Sequence, residues 1–85
     1  MHIEPSYTMH TVAGEHIILI PDEKENKMLS LNPTAVFLWE RLKGKEFTLE
    51  EAAGLLTDNY EVGTEQATAD AKKWIDELHD LGIIR

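Results

Sequence analysis

The chain has 85 residues, no cysteine, 42% hydrophobic residues and a formal charge of −8 from sixteen acidic and eight basic side chains. That length supports one core rather than two, and the absence of cysteine excludes a disulfide framework, a thiolate metal site and a cysteine nucleophile. The acidic excess disfavours nucleic acid as a partner, because duplex binding relies on Lys and Arg neutralising phosphates.

In chain order, Tyr7 to Val12 alternates weakly and includes Thr and Tyr, which predicts a strand. Ala13-Gly14 is a two-residue turn, with Gly free to take positive φ. Glu15 to Ile20 is rich in β-branched residues and too short for a stable helix, so it reads as a buried strand that Pro21 ends. Asp22 to Asn26 is polar turn material, and Lys27 to Leu31 alternates as a short third strand. Together these predict a three-stranded antiparallel meander.

Three helices follow. Asn32-Pro33 sets an N-cap residue before a proline at the first helical position, with Leu31 and Val36 spaced as a hydrophobic staple. Ala35, Leu38, Trp39 and Leu42 form one stripe, and Gly44 ends the helix. Thr48 and Glu51 make a capping box for the second helix, whose stripe is Ala52, Leu55, Leu56 and Tyr60. The third helix begins at Thr64 after Gly63, and its apolar face is Ala67, Ala71, Trp74, Ile75, Leu78 and Leu81. Gly82 suits a left-handed cap that brings Ile83 against Leu78.

Catalytic chemistry finds little support. A two-residue turn pairs Thr11 with His16 and His10 with Ile17, which puts His10 and His16 on opposite faces of the sheet; a three-residue turn would set them side by side. His2 is near them in sequence, and His79 has only the acidic neighbours expected of a charged helix surface. No metal site is therefore expected. The carboxylate pairs Glu50-Glu51, Asp76-Glu77 and Glu23 with Glu25 fall on outward faces or in a loop. The glycines are isolated, so there is no phosphate-binding loop, and no serine sits in a nucleophile turn. The longest apolar run, Ile17 to Ile20, is far below a membrane span, and the first residues lack the pattern of a signal peptide. No enzyme, cofactor or membrane role is expected, and the expected location is the cytoplasm.

A three-stranded sheet has two edges, and the third strand carries no proline and Lys27 as its sole charge. Such an edge is either covered by the rest of the fold or offered to an extended peptide as a template for a further strand. Trp39 and Trp74 read first as core residues, Trp74 also as a candidate groove residue beside Lys73 and one turn from Asp70.

The string Leu31 to Trp39 (LNPTAVFLW), with Gly44, the Thr48 cap, Tyr60, Asp70, Leu78 and Gly82 in order, resembles the PqqD-like family of peptide-binding domains, or RiPP recognition elements. The similarity runs from about Thr11 to Ile84. It implies an α+β, small winged-helix-like domain over residues 1–85: a three-stranded antiparallel sheet followed by three helices. It further implies a non-enzymatic adaptor binding the leader of a ribosomally made precursor peptide and presenting it to a modifying enzyme, commonly a radical S-adenosylmethionine maturase. The implied contacts are Lys27, Met28, Leu29, Ser30 and Leu31 on the third strand, with Ala67, Asp70, Ala71, Trp74 and Leu78 on the third helix. Ala67 and Ala71 stand where bulkier aliphatic residues are usual, which either widens the groove or tightens packing. Two other classes compete. A winged-helix DNA-binding regulator would need a basic recognition helix, and a homodimeric module would pair the third strand with its own copy.

Overall fold

The structure is a computed structural model that describes residues 1–20 and 27–85. Strands β1 (Met9–Val12), β2 (Glu15–Ile20) and β3 (Lys27–Leu31) form an antiparallel sheet in the order β1-β2-β3. Helices α1 (Pro33–Leu42), α2 (Leu49–Asn59) and α3 (Thr64–Asp80) follow. This is the α+β arrangement expected from the sequence. The expected strand end at Pro21 and the turn at 22–26 lie outside the described residues.

The β1–β2 hairpin turns on Ala13 (φ 52°) and Gly14 (φ 82°), both left-handed. A tight turn whose twist matches the flanking strands requires this. The resulting register pairs Thr11 with His16 and His10 with Ile17, so the two histidines face opposite sides. Strand β1 is shorter than its sequence suggests. Pro5 favours a turn, and the Tyr7 N–H donates to the Glu4 carbonyl at 3.2 Å, holding Tyr7 off the ladder. Ile18, Leu29 and Leu31 pack toward the helices, while Leu19 and Met28 lie on the opposite, exposed face.

Local chemistry sets the helix ends. Asn32 Oδ1 accepts from the Ala35 N–H at 2.8 Å, and Thr48 Oγ1 accepts from the Glu51 N–H at 3.2 Å, each satisfying a donor of the first turn. Tyr60 departs from its expected place in the buried stripe. It follows the last residue of α2, is 41% exposed, and packs edge-on against Phe37 with ring centroids 5.5 Å apart. At the end of α3, Ile83 N–H donates to Leu78 O at 2.9 Å and Gly82 N–H to His79 O at 3.0 Å, the two bonds of a Schellman cap. Gly82 sits at φ 77° with open space around the missing Cβ. The cost of Gly82→Ala is therefore conformational, about 1 kcal/mol, to be read from a lower urea midpoint with an unchanged slope.

The core joins Ile18, Leu38, Trp39, Leu42, Leu56, Ile75 and Leu78 with residues that no local pattern marked: Ile3, Phe47 and Ile84. The chain ends pair with each other. Ile3 bridges Ile84, with His2 N–H donating to Arg85 O at 2.7 Å and Arg85 N–H to His2 O at 2.9 Å. Ala52, Ala53, Ala67 and Ala71 are all buried, and small side chains there let α2 and α3 approach closely. Ala67 and Ala71 thus tighten packing and do not widen a groove. Among the described residues, no helix is long and apolar enough to cross a membrane.

Candidate functional site

Among the described residues, strand β3 has β2 on one side and no strand on the other. Which of its peptide groups face outward follows from the hairpin. The residues flanking a two-residue turn, here Val12 and Glu15, form a hydrogen-bonded pair, and such pairs alternate along an antiparallel ladder. Counting from Glu15, β2 directs the peptide groups of His16, Ile18 and Ile20 toward β3, where their partners are Leu31, Leu29 and Lys27. Met28 and Ser30 therefore aim both N–H and C=O away from the sheet. Among the described residues, no backbone hydrogen bond from a turn, loop or chain end reaches either of them.

A groove of about 340 Å³ runs between this edge and α3. Leu29, Ser30 and Leu31 line it on the strand side, Asn32, Thr34, Ala35 and Leu38 at the start of α1. On α3 the lining residues are Asp70, Lys73, Trp74, Glu77 and Leu78. Their spacing of three and four places them on one helical face. Ala35, Leu38, Trp74 and Leu78 are buried and give the groove an apolar base, whereas Ser30, Asp70, Lys73 and Glu77 are exposed along its mouth. A second hollow of about 470 Å³ shares Ser30 and Leu31 and extends past His16 to the hairpin turn.

The charges at the mouth are individually placed. Gln66 Nε2 donates to Asp70 Oδ1 at 2.8 Å, fixing that carboxylate. Lys72, one residue off the groove, donates to Asp76 Oδ2 at 2.7 Å. That hydrogen bond, with the charge attraction behind it, raises the Lys72 pKa above the ordinary lysine value. Lys73 is thus the groove's own cation, between Asp70 and Glu77.

The structure brings Leu29, Ser30, Leu31, Asp70, Trp74 and Leu78 of the expected site together around one groove. Lys27 and Met28 do not line it; Met28 turns its main chain to the open edge, and its side chain is 69% exposed on the far face. Ala67 and Ala71 are fully buried and line no part of the groove. Glu77 and the residues of α1 were not foreseen, although Glu77 stands two turns from Asp70 and is recoverable from helical spacing alone.

The sequence matches the family model described as Coenzyme PQQ synthesis protein D (PqqD) over residues 15–84. The chain belongs to the PqqD family. The match begins at the first residue of β2 and ends within the segment that pairs with the N-terminus, so it spans both walls of the groove. Among curated proteins none matches this PqqD-family sequence. Two solved structures share its fold. One is TbiB1 in complex with the TbiA(beta) leader peptide, with a TM-score of 0.76 and 17% identity over 100% of this chain and 95% of that one. The other is lasso peptide synthetase B1 complexed with the leader peptide, with a TM-score of 0.75 and 23% identity over 99% of this chain and 95% of that one.

Proposed function

We propose that this chain is a non-enzymatic adaptor that binds the leader segment of a ribosomally made precursor peptide. The leader pairs with β3 as a fourth strand, and the adaptor presents the rest of the precursor to a modifying enzyme, a radical S-adenosylmethionine maturase, in the cytoplasm. Residues 1–85 act as a single peptide-binding domain. Within Lys27 to Leu31 the outward main-chain groups of Met28 and Ser30 make the contacts, together with the side chains of Asp70, Trp74 and Leu78.

The observation that carries this reading is the outward main-chain row at Met28 and Ser30 beside an apolar-based groove. Family membership and the leader peptides bound to the two similar structures support it. The energetics are adequate. Four main-chain bonds at a net ~0.5–1.5 kcal/mol each, plus two or three buried side chains at ~1.5–3 kcal/mol each, offset the ordering of a flexible segment and leave micromolar affinity. The acidic charge gives DNA no comparable foothold.

The test is calorimetric titration with the synthetic leader of the short precursor encoded beside this gene, followed in parallel by amide NMR. Micromolar binding with the largest amide shifts at Met28 and Ser30 is expected. Absence of both heat and shifts overturns the proposal.

A further inference from the structure

Trp74 Nε1 is, among the described residues, the buried side-chain polar atom that lacks a hydrogen-bond partner. The residue is 8% exposed and lines the groove. An indole has one donor and no acceptor, and a buried N–H without a partner has lost its hydration with nothing in return. Native structures rarely keep such a group without a reason. Aliphatic packing alone does not call for it, because a side chain without the N–H would fill the same wall at no polar cost.

We infer that Trp74 is a specificity-determining residue whose Nε1–H serves a neutral oxygen acceptor on the bound peptide. The inference deepens the peptide-binding reading and rests on it. The neutral class follows from the surroundings. Asp70 and Glu77 lie about one turn to either side of Trp74 on the same face, with Lys73 as the counter-charge between them. A carboxylate brought to Nε1 would meet two like charges beside one cation, on a chain that already carries −8. An amide, hydroxyl or main-chain carbonyl oxygen incurs no such repulsion. Because Nε1 is covered in the free chain, the indole tilts about its side-chain torsions to make the bond, so the free and bound forms differ at this ring.

The experiment uses the ¹⁵N-labelled full chain and the same synthetic leader. Of the two indole N–H signals, that of Trp74 is expected to move downfield and to exchange more slowly with water at saturation, while that of Trp39, packed in the core away from the groove, stays in place. Trp74→Phe keeps a ring and removes the donor, and is expected to weaken leader binding roughly threefold to tenfold. Replacing the leader's neutral side-chain oxygens one at a time by apolar isosteres then distinguishes two sources of the acceptor. Loss at one position in the parent chain but not in the Phe variant identifies a side chain; uniform tolerance with a weak Phe variant identifies a main-chain carbonyl. Shifts at the Met28 and Ser30 amides with an unmoved Trp74 indole overturn this inference and leave the adaptor reading intact. If the Phe variant fails to fold, the indole signal of the parent chain decides alone.

Discussion

Ser30→Pro is expected to reduce leader affinity roughly tenfold to a hundredfold while leaving the fold intact. The Ser30 N–H points away from β2, so proline removes no bond of the existing ladder. Sheets tolerate proline where the lost donor faced solvent on an edge strand. Leu29, the residue before it, is already extended, as the ring demands. An arriving strand, however, meets a ring in place of a donor and keeps one carbonyl unpaired, a cost of about 1–3 kcal/mol. Leu29→Pro is the contrasting change. Its N–H faces Ile18, so the same substitution one residue away breaks the sheet itself. Circular dichroism and calorimetry on the pair separate the two effects. Undiminished binding by Ser30→Pro would show that the β3 edge is not the docking row.

Phe47→Ala has the largest expected effect on stability. Phe47 lies between α1 and α2, is 1% exposed, and belongs to the central cluster. Its main chain also holds the first residue: Phe47 N–H donates to Met1 O at 2.8 Å, and the Met1 ammonium donates to Phe47 O at 3.0 Å. Truncation leaves those bonds but empties a ring-sized volume in the core cluster that also holds Ile3 and Ile84. A loss of about 3–5 kcal/mol is expected, a large part of the ~5–15 kcal/mol that holds a domain together. Phe47→Leu recovers most of it, since it refills much of the space. Urea unfolding of the two variants checks both figures; equal stability would mean that Phe47 does not fill the core.

Short-range signals in the sequence carried most of the architecture. Ala13-Gly14 determined the register of β1 on β2, and with it the sides of the sheet on which His10 and His16 fall. Asn32, Thr48 and Gly82 marked helix ends through bonds that span only three to five residues. What escaped was non-local. Ile3 and Ile84 meet across the whole chain through a single bridge, which has no periodicity to detect. Phe47 is one aromatic in a loop, and nothing nearby in sequence says that it turns inward. The site divides in the same way. The edge strand and the Asp70–Trp74–Leu78 face were legible, but the apolar stripe of α3 is wide, and periodicity does not say which half meets α2. Ala67 and Ala71 entered the expected site through the family resemblance, and both are fully buried and absent from the groove lining.

The spacing of Met28 and Ser30 has a consequence for how a ligand is measured. Their outward groups recur every second residue, about 6.6–6.8 Å apart. A docked segment therefore turns alternate residues inward, and sliding it by one position presents the wrong half of its composition to Trp74 and Leu78. Sliding by two restores the same half. A leader paired in this way makes the same main-chain bonds in every frame, so the choice of frame would fall to the side chains lining α3.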